Sequence, residues 1–102
     1  MHPAIADQVI RDGKADMAAF GRALIAGPEL INKYAENRLD SARVCLGCNE
    51  GCTGHTGKLL DITCAINPRA GYEGKYPLGV KADKALKVAV VGAGPAGLQA
   101  AL

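Results

Sequence analysis

The chain has 102 residues, 22% of them charged, and a formal net charge of +2, which suits one small globular domain or a piece of a larger protein. The near-neutral charge and the 4% aromatic content argue against a nucleic-acid partner. No apolar run approaches the roughly 20 residues of a membrane span, and no membrane partner is expected. Because the N-terminus lacks a secretion-signal pattern, we expect a cytoplasmic protein whose thiols are reduced.

Two helices and one strand are predicted before the first cysteine. Residues 3–12 carry apolar side chains at helical spacing, and Gly13 follows as a natural helix-ending residue. The short apolar stretch 15–20 lies between glycines and is predicted as a buried parallel strand, although its periodicity also permits a helix. A second helix is predicted to open at residues 27–29, with the proline at its first position.

Gly21 and Arg22 directly follow the predicted strand. In α/β folds, ligands bind at the carboxyl ends of parallel strands. A glycine there lets the backbone approach a phosphate group, and an arginine can bind that group bidentately. For this dipeptide alone, an ordinary surface arginine is the more common alternative.

All four cysteines of the chain lie in one stretch with the spacing C-x2-C-x3-C-x11-C. Three thiolates in one loop and a fourth from a distance are typical of an iron–sulfur cluster, and nearby glycines let backbone N–H groups face its sulfurs. A zinc site, disulfides and plain thiols stay open as alternatives, although zinc usually takes two paired knuckles. His55 is predicted to be a solvated loop histidine rather than a ligand. The candidate metal ligands are Cys45, Cys48, Cys52 and Cys64.

The last part of the chain is predicted to be a linker followed by the start of a nucleotide-binding unit. Residues 72–86 are irregular in pattern, and residues 87–91 form a β-branched apolar run that predicts a strand. A G-x-G-x-x-G sequence at the start of a helix follows, as in dinucleotide-binding folds. Its glycines would make the tight turn, admit the pyrophosphate and allow helix–strand packing. The candidate cofactor-binding residues are Gly92, Gly94, Pro95, Ala96 and Gly97.

In this order, these motifs resemble one family, the iron–sulfur flavoenzymes of the old yellow enzyme class. The resemblance rests on residues 13–22, on Gly-Pro-Glu-Leu, on the four cysteines, on Asn-Pro-Arg-Ala-Gly-Tyr-Glu and on residues 90–98. Its nearest branch holds 2,4-dienoyl-CoA reductase, enoate reductases and NADH:flavin oxidoreductases, with trimethylamine dehydrogenase as a sister. Gly27 departs from the family's usual Asp-Pro-Glu. The resemblance favours a [4Fe–4S] cluster at the four cysteines.

The resemblance implies an α/β protein of which this chain is an internal fragment. Residues 1–42 would end a (β/α)8 barrel that carries FMN, and residues 43–71 would bind the [4Fe–4S] cluster. Residues 72–86 would link them to residues 87–102, the first strand, turn and helix of a Rossmann-like FAD/NAD(P)-binding domain. Gly21 and Arg22 would then bind the FMN phosphate. No catalytic residue carries over, because the family's proton donor and substrate pocket belong to other parts of the barrel.

The function implied is the reduction of activated C=C bonds in enoates or enoyl-CoA substrates. Electrons would pass from NAD(P)H to FAD, to the cluster, to FMN and to a small-molecule substrate. The rest of the same polypeptide would be the partner of this chain, which alone would be inactive. An amine dehydrogenase of the same class, an electron-transfer module similar to the FAD and iron–sulfur subunit of glutamate synthase, and a zinc-binding module are the alternatives.

Overall fold

A computed structural model describes residues 2–77 and 79–102. The described residues form five short α-helices and one 3-10 helix. In chain order these are α1 (Pro3–Arg11), α2 (Arg22–Ala26), α3 (Leu30–Ala35), the 3-10 helix (Leu39–Ser41), α4 (Thr53–Thr56) and α5 (Pro95–Ala101). Not one of the helices in these two ranges has the length and apolar character needed to cross a membrane.

Helix α1 forms where the sequence predicts it. The His2 side chain caps its start, since Nδ1 accepts the Ala4 N–H at 3.3 Å, and Pro3 occupies the first turn. The helix ends at Arg11, and Gly13 follows with a φ of +65°, a conformation that favours glycine. The predicted helix over residues 3–12 is therefore confirmed to within one residue.

Helices α1 and α3 pack against each other through a small apolar contact and one polar link. Ala6 and Leu30 are each 5% exposed and belong to the few buried apolar residues. The Tyr34 hydroxyl donates to Asp7 Oδ2 at 3.1 Å, and Arg11 Nε donates to the same oxygen at 3.0 Å. Helix α3 therefore joins α1 to the rest of the chain at its N-terminal end.

The start of α3 differs from the prediction. Pro28 and Glu29 lie in a turn, closed by a 3.0 Å hydrogen bond from the Leu30 N–H to the Gly27 carbonyl, and the helix begins only at Leu30. Pro28 is therefore not the first helical residue. A Cβ at the buried Gly27 would lie 2.7 Å from the Arg43 carbonyl oxygen, so the backbone packs closely at this turn.

The two predicted strands do not form. Residues 15–20 and 87–91 have no regular secondary structure, and residues 2–77 and 79–102 contain no β-strand at all. A strand is held by hydrogen bonds to a neighbouring strand, and no described segment pairs with either stretch. The barrel and Rossmann parts of the predicted fold class thus stay predictions, as do the domain boundaries.

The chain leaves much of its apolar surface uncovered. Its accessible surface is 8097 Å², whereas a compact protein of this mass exposes about 5,400 Å². The radius of gyration is 16.5 Å, against about 13 Å for a compact domain of this length. Leu59 and Val91 are almost fully exposed, at 96% and 99%. The described residues therefore form linked local units rather than one closed core.

Candidate metal centre

All four cysteines line a single small cavity of about 20 Å³. The remaining lining residues are Arg22, Ile25, Leu46, Asn49, Gly51, Thr63, Ala65 and Ile66. Within residues 2–77 and 79–102, no three His, Cys, Asp or Glu side chains converge closely enough to hold a metal ion. The four cysteines thus border one shared space without converging on a single point, and four cysteines are the donor set that an iron–sulfur cluster takes.

The loop with the first three cysteines turns at two residues of positive φ. Gly47 has a φ of +73°, and Asn49 has a φ of 61°, a conformation that asparagine tolerates better than most residues. The Gly47 N–H also donates to Cys45 Sγ at 3.4 Å. This backbone path turns the three thiols toward the same cavity and brings an N–H group to one of the sulfurs.

A close backbone contact brings the fourth cysteine to the third. The Thr63 N–H donates to the Gly51 carbonyl at 2.7 Å. A Cβ at Gly51 would overlap the Thr63 hydroxyl and lie 2.7 Å from its carbonyl oxygen, so only glycine permits this approach. Because Gly51 precedes Cys52 and Thr63 precedes Cys64, the contact holds the backbone beside Cys52 against the backbone beside Cys64.

The eleven residues between Cys52 and Cys64 form a loop that contains α4 and is held by internal hydrogen bonds. His55 Nδ1 lies 2.7 Å from the Asp61 carbonyl oxygen, and the Leu60 N–H donates to the His55 carbonyl at 3.1 Å. His55 does not line the cavity, and its exclusion from the ligands stays a prediction. Its side chain is half-buried, and its bond to Asp61 lies at the solvent-exposed surface of this loop.

Arg22 is the one charged residue among those that line the cavity. It is the first residue of α2, with Gly21 as the capping position, and its guanidinium donates to Asn49 Oδ1 in the three-cysteine loop. The side chain is otherwise exposed. Contact with the FMN phosphate stays a prediction, and the structure adds a second role for Arg22 at the rim of the cavity.

Asn67 is a supporting residue that the sequence analysis missed. It is 4% exposed, its Nδ2 donates to the Ile25 carbonyl at 2.7 Å, and its Oδ1 accepts the Arg69 N–H at 3.2 Å. The Ala70 N–H closes the turn at Asn67 and Pro68 on the Asn67 carbonyl at 3.1 Å. The contact with Ile25 spans 42 residues, and no local pattern indicates it.

The glycine-rich turn has the backbone that its motif predicts. Gly92 has a φ of +110°, and Gly94 caps α5 with Pro95 and Ala96 in the first turn. A Cβ at Gly97 would overlap the Gly92 carbonyl oxygen, so α5 packs directly on the turn. Gly97 therefore packs against the turn itself, although the strand predicted before it does not form.

The start of α5 lies close to the fourth cysteine. A second, wider groove of about 780 Å³ is lined by Cys64, Ala65, Ile66, Pro68, Pro95, Ala96, Gln99 and Ala100. Cys64 borders both this groove and the four-cysteine cavity. A 2.7 Å hydrogen bond from Arg43 Nη2 to Gln99 Oε1 also joins α5 to the segment before the cysteines. The candidate nucleotide loop and the candidate metal site are thus neighbours.

Comparison with known proteins finds relatives over nearly the whole chain. The chain is 43% identical over 99 residues to cinnamate reductase of Clostridium sporogenes, which covers 97% of the chain and 15% of that enzyme. It is 46% identical over 101 residues to NADH oxidase of Thermoanaerobacter brockii, and this match covers 98% of the chain and 16% of that enzyme. Dimethylamine dehydrogenase of a Hyphomicrobium species is 37% identical over 98 residues, with 92% and 13% coverage.

These relatives confirm the resemblance to the iron–sulfur flavoenzymes of the old yellow enzyme class. Further relatives also bear the names of reductases and dehydrogenases, so the chain is homologous to a segment of oxidoreductases. It spans about 15% of the length of the curated relatives that it matches. No family model matches the chain.

Proposed function

We propose that the chain joins an FMN-binding barrel to an FAD- and NAD(P)-binding domain in an NAD(P)H-dependent oxidoreductase of the cytoplasm. The substrates would be activated C=C bonds in enoates or enoyl-CoA compounds. Electrons would pass from NAD(P)H through FAD, a [4Fe–4S] cluster and FMN to the substrate. The relatives named NADH oxidase and cinnamate reductase support the electron donor and the substrate class, respectively.

The observation that carries this proposal is the single cavity lined by all four thiols. Cys45, Cys48 and Cys52 would hold the cluster from one loop, and Cys64 from the opposite segment. A bound cluster supplies one-electron transfer between carriers that accept two electrons. The backbone N–H at Gly47, already directed at a cysteine sulfur, is of the kind that tunes the reduction potential of such sites.

Two features that flank the cysteines along the sequence support two flavins. Gly92 to Gly97 form a turn and helix start suited to a pyrophosphate, and Pro95 and Ala96 of this stretch line the groove that Cys64 shares. Before the cysteines, Gly21 caps α2 and Arg22 begins it, and both would contact the phosphate of FMN. The remaining parts of the same polypeptide would complete both flavin sites.

An amine dehydrogenase is the second candidate, since dimethylamine dehydrogenase matches nearly as much of the chain. It would use the same cofactors with electrons running from an amine to the flavin. Anaerobic mixing of the full-length protein with dimethylamine or with cinnamate separates the two. Reduction of the oxidised flavin by dimethylamine supports the dehydrogenase, and oxidation of the reduced flavin by cinnamate supports the reductase.

The proposed cluster is tested by metal analysis of the anaerobically purified full-length protein. We expect about four iron and four acid-labile sulfide per chain and visible absorption from the cluster. Replacement of any of the four cysteines by alanine removes most of the iron, because an open coordination position leaves a cluster labile. His55→Ala is the matched control and keeps the iron. One tightly bound zinc without labile sulfide would show that the site is a zinc module.

A further inference from the structure

We infer that α2 anchors both the three-cysteine loop and the segment around Cys64, and that Asn67 is the positioning residue for Cys64. This inference rests on the proposed function, because it concerns how the thiolates are held for a cluster. It assigns a role to a residue that is neither a ligand nor part of the flavin motifs.

Helix α2 has one hydrogen bond to the three-cysteine loop and one to the segment that follows Cys64. At its first residue, Arg22 donates to Asn49, which lies next to Cys48 in the three-cysteine loop. Near its end, the Ile25 carbonyl accepts a hydrogen bond from Asn67, three residues after Cys64. Arg22 and Ile25 both line the cavity, as expected for residues three apart on one helical face. The helix therefore forms a wall to which both segments are tied.

The link through Asn67 is specific because every group in it has a defined partner. The Ile25 carbonyl lies in the last turn of α2, where carbonyl groups have no partner within the helix. Asn67 Oδ1 accepts the Arg69 N–H at 3.2 Å, which fixes the amide so that Nδ2 faces Ile25. At 4% exposure, Asn67 leaves little room for water to replace this bond.

Cys64 is consequently held between two fixed points. On one side, Thr63 is bonded to Gly51, and on the other side Asn67 is bonded to Ile25. Without the second bond, the segment after Cys64 would lose its link to α2, and Cys64 would be held mainly through Thr63 on its other side. A cysteine held at only one side should leave a bound cluster more often, and its release would open the cluster to chelation.

The test is Asn67→Asp in the full-length protein. The substitution keeps the size of the side chain and an oxygen acceptor for the Arg69 N–H, but it replaces the donor that faces Ile25 with a second oxygen. Asn32→Asp is the matched control, since Asn32 is exposed on α3. Two quantities are measured: the half-life of cluster absorbance in the presence of an iron chelator, and the EPR spectrum of the chemically reduced cluster.

We expect Asn67→Asp to shorten the cluster half-life roughly tenfold to hundredfold and to alter the EPR spectrum, while Asn32→Asp changes neither. The rate of flavin release is followed in parallel. If flavin release becomes faster together with cluster loss, or if the variant does not fold, Asn67 stabilises the whole fold rather than Cys64, and the inference is overturned. An unchanged half-life and spectrum overturn it as well. An unsubstituted protein without iron would instead refute the proposed function.

Discussion

Arg22 is the residue at which the candidate metal centre and the predicted FMN site meet. The sequence places it after a glycine, in a setting typical of a phosphate contact, and the structure places its guanidinium against Asn49 at the cavity rim. A guanidinium carries five donors, so one nitrogen can bind Asn49 while others face a phosphate. The two roles are therefore compatible, and a substitution can test the first of them.

Arg22→Ala is expected to weaken FMN binding by about tenfold to hundredfold, the loss of one charge-assisted contact of roughly 1.5–3 kcal/mol. The measurement is a fluorescence titration of the deflavinated full-length protein with FMN. Arg43→Ala serves as the control, because Arg43 bonds to Gln99 and does not line the four-cysteine cavity. Unchanged FMN affinity in Arg22→Ala would leave Arg22 as a residue of the cysteine site alone.

At the scale of elements, local signals predicted α1, α3 and the start of α5 but missed α2 and α4, and non-local contacts decided the predicted strands. Helix α1 follows from the apolar spacing over Pro3–Arg11 and from Gly13, all of which lie within a few residues of one another. The predicted strand 15–20 does not form, because a strand depends on a neighbour that no local pattern supplies. The cysteine spacing is likewise a local signal that indicates the four candidate ligands, whereas the contact of Asn67 with Ile25 joins residues 42 positions apart and has no local signal.

The glycine-rich turn offers a test that separates packing from ligand binding. Gly97→Ala should disturb the turn even without a ligand, because its Cβ would overlap the Gly92 carbonyl. Gly94→Ala should leave the free turn intact, since a Cβ there meets nothing within 4 Å, but it should obstruct a pyrophosphate. Both variants of the full-length protein should bind FAD less well. The thermal stability of the FAD-free protein should fall only in Gly97→Ala.

A control for these variants is Gly74→Ala, where a Cβ also meets nothing within 4 Å and the φ is not positive. It should bind FAD normally. Full FAD occupancy in Gly94→Ala would contradict the assignment of this turn to the pyrophosphate. Equal stability of the FAD-free Gly97→Ala and Gly74→Ala proteins would contradict the packing assigned to Gly97.

The contact between α1 and α3 predicts a pH dependence. The pKa of Asp7 is held below its ordinary value of 3.8. The hydrogen bond from Arg11 has the largest effect, burial opposes it with the second largest, and the hydrogen bond from Tyr34 lowers the pKa further. Because the folded pKa is the lower one, the contact stabilises the fold above pH 3.8, and this contribution is lost as the pH falls through the lowered pKa.

We expect Arg11→Gln to raise the pKa of Asp7 toward 3.8, and Tyr34→Phe to raise it less, in line with the order of the two causes. Carboxyl 13C chemical shifts of the 102-residue chain, followed from neutral to acid pH, measure this pKa directly. Arg38→Gln is the control, since Arg38 pairs with Glu36. An ordinary pKa for Asp7 in the unsubstituted chain would mean that the two helices do not pack in solution.

At the scale of the whole molecule, the exposed apolar residues mark a surface that other parts of the proposed oxidoreductase would bury. Val88, Val90 and Val91 are 78%, 41% and 99% exposed, although their pattern is that of a buried strand. The segment shared with this chain makes up only 15–16% of the length of these relatives. In the proposed oxidoreductase, parallel neighbours would pair with these valines and bury them, which explains why the pattern predicts a strand that the chain alone does not form.

The last prediction concerns the order of electron carriers, on which the proposed function depends. In a full-length Cys48→Ala variant that lacks the cluster, NAD(P)H should still reduce FAD, because that step needs only the nucleotide domain. Substrate should still oxidise FMN that has been reduced chemically, because that step needs only the barrel. Steady-state turnover from NAD(P)H to substrate should fall by orders of magnitude, since nothing then joins the two flavins. His55→Ala, which leaves all four thiols in place, should keep normal turnover.

Stopped-flow measurement of each half-reaction separates this electron-relay role from a structural one. If the cluster only holds the fold together, the Cys48→Ala variant loses both half-reactions at once, with release of both flavins. The position of Cys64, which borders both the cysteine cavity and the groove beside Pro95 and Ala96, favours the relay, because it places a ligand next to the candidate FAD site. Normal turnover in a Cys48→Ala protein verified to contain no iron would end the proposal that electrons pass through this site.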